Sequence, residues 1–134
     1  MIGTYEWLFA PPGSRPEQWD ERRAAVALEA AMGSHDAVVL VADDGGKLVG
    51  LCTAYLDIHS VRYGYRAWVE DLAAHPERRS EGIGKSLLDA AKDWGLERGA
   101  THLELDSGDA RHDAHRFYER EGPEWRSNQY SWVL

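Results

Sequence analysis

The sequence predicts an α/β fold in which helices flank a mixed, largely antiparallel twisted sheet. Apolar runs separated by short turns over residues 37–74 predict consecutive antiparallel strands. A helical repeat of apolar residues over residues 82–98 precedes a further strand, and such helices pack as layers on a sheet. The 134 residues contain no repeat, linker or low-complexity segment, so we expect a single domain spanning residues 1–134.

Helical signals dominate the first part of the chain. Tyr5 to Ala10 suits a short helix, which Pro11-Pro12-Gly13 interrupts. Ser14 is a suitable N-cap for a second helix that contains Pro16 to Met32. Strand patterns begin only after this helix.

The pattern in the central part of the chain predicts three consecutive strands. Ala37 to Ala42 is the first, and Asp43-Asp44-Gly45-Gly46 predicts a hairpin turn into Lys47 to Asp57. The third strand begins at Arg62 or Tyr63 and ends at Ala74. Short connections of this kind join antiparallel neighbours.

The last part returns to alternating helices and strands. A helix over Gly82 to Arg98 ends at Gly99, and Thr101 to Asp106 follows as a strand. One face of this helix is apolar and is expected to be buried: Ile83, Leu87, Ala91 and Trp94. A late helix from Asp109 or Ala110 to Arg120 and a closing strand, Asn128 to Leu134, complete the prediction.

Composition excludes several classes of protein. A net charge of −8 argues against a nucleic-acid binder and suits attraction of a cationic amine substrate. No apolar run approaches a membrane span, and the first residues lack a signal-peptide pattern. The single Cys52 forms no internal disulfide, which agrees with a cytoplasmic location, and its apolar surroundings predict a buried, inert thiol.

The most informative motif is Arg79-Ser80-Glu81-Gly82-Ile83-Gly84-Lys85-Ser86. A glycine-containing turn at the start of a helix directs unpaired N–H groups outward, at the positive end of the helix dipole. Glycine lets an anion approach those amides closely, so the motif predicts a phosphate or pyrophosphate site.

Three phosphate-binding patterns compete for this motif. A Walker loop fits Gly84, Lys85 and Ser86 but requires glycine where Arg79 stands. A dinucleotide fingerprint requires a third glycine at Leu87. The pattern Arg/Gln-x-x-Gly-x-Gly/Ala matches completely, and it resembles the pyrophosphate loop of the GNAT superfamily of acyl-CoA N-acyltransferases.

Two neighbouring blocks resemble the same family, in its order and spacing. Glu70-Asp71-Leu72-Ala73-Ala74-His75-Pro76 is similar to its fourth strand, and Phe117-Tyr118-Glu119 with Gly122 to its late helix. The resemblance covers roughly residues 37–134. Glu81 within the loop and Pro123 after Gly122 depart from the family pattern, and the family's first strand is short or absent here.

The resemblance implies acetyl-CoA as co-substrate and an amine, small or on a protein, as acceptor. It implies Glu70, with Asp71 or a water chain as alternatives, as the base for the amine, and Tyr118 as the acid for the thiolate. Strand alternation predicts that Glu70 and Asp71 lie on opposite faces. It further implies that the backbone of Leu72, Ala73 and Ala74 binds pantetheine, and that residues 79–86 bind pyrophosphate.

The sequence leaves other interpretations of the site and the function open. His112 and His115 lie three apart on one predicted helix, but no third ligand is evident, so we expect no metal site. A non-catalytic acyl-CoA-binding sensor or partner subunit of the same fold is the main functional alternative, and a nucleotide-binding protein is a more distant one. The sequence identifies no acceptor amine, and it leaves a homodimer open.

Overall fold

The computed structural model describes residues 1–134 and contains one four-stranded sheet with helices on both sides. The strands are adjacent in chain order, β1-β2-β3-β4. The elements are a 3-10 helix Ile2–Trp7, α1 Glu21–Met32, β1 Ala37–Asp44, β2 Lys47–Ser60, β3 Gly64–Ala74, a 3-10 turn Pro76–Arg78, α2 Ile83–Glu97, β4 His102–Leu105 and α3 His112–Arg120. This arrangement confirms the predicted α/β class and its mixed sheet.

The sheet is antiparallel except at β4. The predicted hairpin joins β1 to β2, and the Gly46 N–H donates to Asp43 Oδ1 at 2.7 Å within the turn. β2 and β3 pair along almost their whole length, whereas β4 runs parallel to β3 and pairs only with Arg66–Val69. The second half of β3 therefore has a strand neighbour on one side only.

The core lies between the sheet and α2. The predicted apolar face of α2 is confirmed, since Leu87, Ala91 and Trp94 are buried and Ile83 packs against them. Strand residues of β2 and β3 form the other half of this core: Cys52, Ala54, Leu56, Ala67 and Val69. Burial of such side chains stabilises the domain by roughly 1.5–3 kcal/mol for each large one. α2 is thereby fixed over the middle strands.

Two helix starts differ from the sequence prediction. α1 begins at Glu21, and its N-cap is Asp20, whose Oδ1 accepts from the Arg23 N–H at 3.0 Å. Ser14 was therefore the wrong N-cap, because residues 16–19 form a separate turn in which the Trp19 N–H donates to the Pro16 carbonyl. α3 begins at His112 rather than at residue 109 or 110.

The predicted strand Asn128–Leu134 is absent, and this prediction is wrong. Residues 123–134 form no secondary structure, and residues 127–134 are all exposed. An alternating pattern makes a strand only when another strand lies alongside it, and none does here. At the other end of the chain the structure has a 3-10 helix, Ile2–Trp7, which overlaps the short helix predicted over Tyr5 to Ala10 but begins three residues earlier, and no strand precedes α1. No helix of the structure has both the length and the apolar composition that a membrane crossing requires.

Candidate active site

The loop before α2 presents a row of free backbone amides. Seven consecutive N–H groups, those of residues 79–85, donate no hydrogen bond within the protein. The first N–H with a helical partner is that of Ser86, which donates to the Gly82 carbonyl at 3.0 Å. Ser80 and Gly82 adopt left-handed φ values of 68° and 81°, which turn the loop sharply into the helix. Free amides at the positive end of a helix dipole are able to bind an anion.

Ion pairs occupy the charged side chains around this loop. Arg78 holds Glu81 at 2.9 Å and Asp44 at 2.6 Å, and this guanidinium keeps the pKa of the Glu81 carboxyl below its usual range. The negative charge of Glu81 is therefore compensated beside the loop. Lys85 is held by Asp89 and Glu121, both at 3.1 Å, whereas the lysine of a Walker loop extends to the phosphates.

The two loop glycines face different surroundings. A Cβ on Gly82 would meet no atom within 4 Å, so that position opens to solvent. A Cβ on Gly84 would lie 3.5 Å from the ring of Phe117, a residue of α3. A larger residue at Gly84 would thus press on α3, and Gly82 is the better place to alter the loop alone.

Beyond Val69, the two parallel strands diverge. Val69 pairs with Leu105, the last residue of β4, and residues 70–74 have no neighbour on that side. On its other side this stretch stays paired with β2, for example Leu72 with Cys52 and Ala74 with Gly50. Backbone groups of Leu72–Ala74 that point toward the gap are free to bind an extended ligand.

A β-bulge places two carboxylates side by side in β3. The register shifts where Thr53 pairs with Asp71 and the next residue, Ala54, pairs with Val69, so Glu70 has no partner. Val69 and Leu72 both pack on the α2 side of the sheet. Glu70 and Asp71 fill the two positions between them, on the opposite side. The expectation that they lie on opposite faces is wrong, because a bulge interrupts strand alternation.

The two carboxylates have different partners. Asp71 Oδ2 accepts from the Tyr5 hydroxyl at 2.8 Å and from the buried Thr53 hydroxyl at 2.6 Å. Glu70 is exposed and accepts one bond, 2.7 Å from Trp68 Nε1. Asp71 therefore fastens the amino-terminal 3-10 helix to the sheet, while Glu70 keeps most of its hydrogen-bonding capacity. Sequence reasoning missed Tyr5 and Thr53, because nothing local predicts a contact across 66 residues.

Tyr118 lies half-buried on α3, and burial raises the pKa of its phenol to about 12. The neighbouring Cys52 and Asp106 raise this pKa further, and Arg111 opposes them. The hydroxyl is therefore protonated at neutral pH and able to donate a proton or a hydrogen bond. Phe117, the residue before Tyr118, packs against the core. Cys52 itself is fully buried, and burial raises its thiol pKa to about 12, which agrees with an inert role.

An open cleft of about 2620 Å³ runs along β4 and includes the candidate functional side chains on β3 and α3. Glu70, Trp68 and Tyr118 all line it. The Arg66 guanidinium lies over the Trp68 ring, 4.7 Å from its centroid. The structure contains no group of three or more His, Cys, Asp and Glu side chains suited to a metal ion.

Comparison with known proteins identifies the family. The sequence model of the acetyltransferase (GNAT) family matches residues 2–122 of this chain. The uncharacterised N-acetyltransferase YhdJ of Bacillus subtilis (strain 168) is 36% identical over 91 residues, which cover 68% of this chain and 63% of that protein. The aminoalkylphosphonate N-acetyltransferase of Salmonella typhimurium is 34% identical over 77 residues, 58% of this chain and 50% of that protein.

Among solved structures, the aminoglycoside N-acetyltransferase AAC(6')-Iy in complex with CoA has the same fold. Its TM-score is 0.84 at 17% identity, and the match covers 99% of this chain and 85% of that one. The chain thus spans one half to two thirds of the length of the two relatives above and most of this structure. It belongs to the acetyltransferase (GNAT) family.

Proposed function

We propose that this member of the GNAT family is an acetyl-CoA-dependent N-acetyltransferase that acetylates a primary amine by direct attack in a ternary complex. The row of seven free amides at the start of α2 carries the proposal, because it offers a pyrophosphate site beside a diverging strand edge. A carboxylate and a protonated phenol line the cleft next to that edge. The known complex of a related fold with CoA supports the same ligand here.

In this proposal the backbone binds the cofactor. The amides of residues 79–85 bind the pyrophosphate, with charge-assisted hydrogen bonds that contribute roughly 1.5–3 kcal/mol each, while the Ser86 N–H is already bonded to the Gly82 carbonyl. The exposed Arg79 side chain, 4.0 Å from Asp113 and weakly held, adds positive charge nearby. Pantetheine extends along Leu72–Ala74 as an added strand would, which directs the thioester toward the bulge in β3.

Glu70 then acts as the general base. The acceptor amine arrives protonated, and loss of one proton to Glu70 frees the nitrogen lone pair for attack on the thioester carbonyl. The exposure of Glu70 and its single hydrogen bond support this role, whereas Asp71 already accepts from two hydroxyls. We therefore assign Asp71 to positioning. A water chain that ends on Glu70 would serve the same step.

Tyr118 acts as the general acid. As the new C–N bond forms and the C–S bond breaks, the sulfur takes the proton of the Tyr118 hydroxyl, which gives CoA as a thiol. A proton from the attacking nitrogen returns to the phenolate, so the products are the amide and free CoA. A pKa of about 12 keeps the phenol protonated until the thiolate develops.

Acidic side chains around the cleft favour a cationic acceptor. Glu70, Asp106 and Asp109 line it without an ion pair, and the whole chain carries a charge of −8. Such a field attracts cations over several ångströms and is weakened by salt. We infer a small polyamine or amino sugar as the acceptor class, in keeping with the aminoglycoside enzyme of the same fold.

The deciding assay measures release of free thiol from acetyl-CoA in the presence of candidate amines. The panel contains polyamines, aminoglycosides, aminoalkylphosphonates, amino acids and peptides. We expect thiol release that depends on the amine, equals the N-acetylated product in amount, and is fastest with polycationic acceptors at low salt. Binding of CoA without release for any amine would favour a non-catalytic acyl-CoA-binding protein. Binding of ATP without CoA would favour the Walker interpretation.

A further inference from the structure

The side chain of Glu70 is held by a single contact. Its Oε2 accepts the indole Nε1–H of Trp68 at 2.7 Å, and its Oε1 accepts no hydrogen bond. The bulge leaves Glu70 without a pairing residue on β2, and its side chain is exposed. An exposed carboxylate on a flexible side chain visits several rotamers unless a neighbouring group selects one of them. The indole N–H of Trp68 is the group that does so here.

Trp68 is itself fixed by residues from both neighbouring strands. The Arg66 guanidinium stacks over the Trp68 ring, and a cation in this position is attracted to the face of an indole. Arg66 donates to Asp57 of β2 from Nε at 3.0 Å and from Nη2 at 2.8 Å. It also donates to Glu104 of β4 from Nη1 at 3.0 Å, and Glu104 is the residue that pairs with Trp68 in the sheet. The indole therefore rests against a guanidinium whose position is set by two carboxylates.

These groups form one row on the face of the sheet opposite α2. A register shift in β2 leaves Asp57 without a pairing residue, next to the pair that contains Arg66. The residues between Arg66 and Trp68, and between Trp68 and Glu70, are buried against α2, so the three named side chains point the other way. Trp68 stands between the two bulges, with the ion pairs on one side and the carboxylate of Glu70 on the other.

We propose that Trp68 is a positioning residue for the general base: its N–H holds Oε2 of Glu70 and leaves Oε1 to take the proton of the acceptor amine. This role rests on the proposed function, in which Glu70 is the base. A carboxylate that is already oriented loses less conformational freedom when the amine arrives than a mobile one does. Since Trp68 and Glu70 line the same cleft, the row also fixes the side from which the amine approaches.

The first test asks whether the contact exists in solution, and it requires no enzymatic activity. In protein labelled with ¹⁵N at its tryptophans, the indole N–H signal of Trp68 is assigned from its loss in Trp68→Phe. We expect Glu70→Gln, which replaces a charged acceptor with a neutral one, to move this proton signal upfield. The indole signal of Trp125, which is 51% exposed and donates no hydrogen bond, should stay in place. A Trp68 signal that does not respond to Glu70→Gln would overturn the proposal.

The second test measures single-turnover acetylation with acetyl-CoA and the acceptor amine both saturating. Trp68→Phe keeps an aromatic ring and removes the donor, and we expect the rate to fall roughly tenfold while the affinity for acetyl-CoA is unchanged. In a Glu70→Gln background the same change should have no further effect, because no base remains to be positioned. The matched control is Trp125→Phe, which alters a tryptophan without a hydrogen bond and should leave the rate unchanged. Equal losses in the two backgrounds, or from Trp125→Phe, would reduce Trp68 to a wall of the cleft.

A closer replacement covers the case in which Trp68→Phe disturbs folding. Benzothienylalanine at position 68 keeps the shape of the indole and has sulfur in place of the N–H, and we expect the same tenfold loss, again absent in the Glu70→Gln background. A protein that shows the contact between Trp68 and Glu70 but acetylates no amine would overturn the proposed function and this role together. A protein that acetylates amines with independent effects of Trp68 and Glu70 would overturn this role alone.

Discussion

The two ends of α2 carry similar glycines and have opposite chemistry. Gly82 at the start and Gly99 at the end have φ values of 81° and 88°, and a Cβ on either would meet no atom within 4 Å. At the end of the helix, the N–H groups of Arg98, Gly99 and Ala100 all donate to carbonyls of the last turn. At the start, seven N–H groups have no acceptor. At the glycine that ends the helix, the backbone N–H groups are bonded to helix carbonyls. At the glycine that begins the helix, the N–H groups have no acceptor in the chain and are available to a ligand.

The same contrast between open and closed groups recurs in the bulge of β3. Asp71 accepts hydrogen bonds from two hydroxyl groups, whereas Glu70 accepts a single hydrogen bond and lines the cleft. In both places, the groups that we propose for binding or catalysis are those that still have unused hydrogen-bonding capacity. Each of these candidate residues can therefore be tested against a matched residue elsewhere in the chain.

The largest effect is expected for Glu70→Gln. Loss of the base should reduce the turnover rate roughly 10²–10⁴-fold at neutral pH, the usual range for general base catalysis, while acetyl-CoA affinity barely changes. Activity should recover at high pH, where the free amine is abundant. Steady-state kinetics across pH and calorimetry with acetyl-CoA measure both effects.

Its counterpart is Asp71→Asn. This change weakens two hydrogen bonds to a charged acceptor, and each such bond contributes roughly 1.5–3 kcal/mol, so the main loss should be in the free energy of unfolding. Denaturant unfolding measures it. If Asp71→Asn instead abolished turnover in a fully stable protein and Glu70→Gln kept the original pH profile, the base would be Asp71.

A smaller effect is expected for Tyr118→Phe, which removes only the hydroxyl. Turnover should fall about 10²-fold, the lower end of the range for general acid catalysis, and acetyl-CoA binding should change little. Tyr65→Phe is the matched control, because Tyr65 is stacked on His59 at 4.0 Å and its hydroxyl makes no hydrogen bond. Unaltered single-turnover rates in a folded Tyr118→Phe protein would return Tyr118 to a packing role.

The smallest effect is expected for Gly82→Ala, measured against Gly99→Ala. An alanine in left-handed conformation costs roughly 1–2 kcal/mol, so both variants should lose similar stability. Only Gly82→Ala disturbs the free amides, and we expect its affinity for CoA to fall about tenfold, which corresponds to about 1.4 kcal/mol. Isothermal calorimetry compares them. Equal CoA affinity in the two variants would exclude the loop from the binding site.

Much of the fold was readable from local patterns. The hairpin at Gly45-Gly46, the apolar face of α2 and the order of the elements all agree with the sequence prediction. These features depend on spacings of two to seven residues and on turn chemistry, which a sequence displays directly. The N-cap of α1 and the closing strand were predicted wrongly, because competing local signals and a missing strand neighbour decided them.

For the candidate site, the sequence by itself determined which chemical groups are present. The tertiary structure decided their orientation, their hydrogen-bond partners and their protonation. Adjacent letters already placed Glu70 next to Asp71, Gly82 before a helix, and Tyr118 after Phe117. Their roles diverge only because the bulge turns both carboxylates to one side, Tyr5 reaches Asp71 from 66 residues away, and burial raises the pKa of the phenol. Hydrogen bonds and desolvation depend on which distant groups come within a few ångströms, and that proximity exists only in the folded chain.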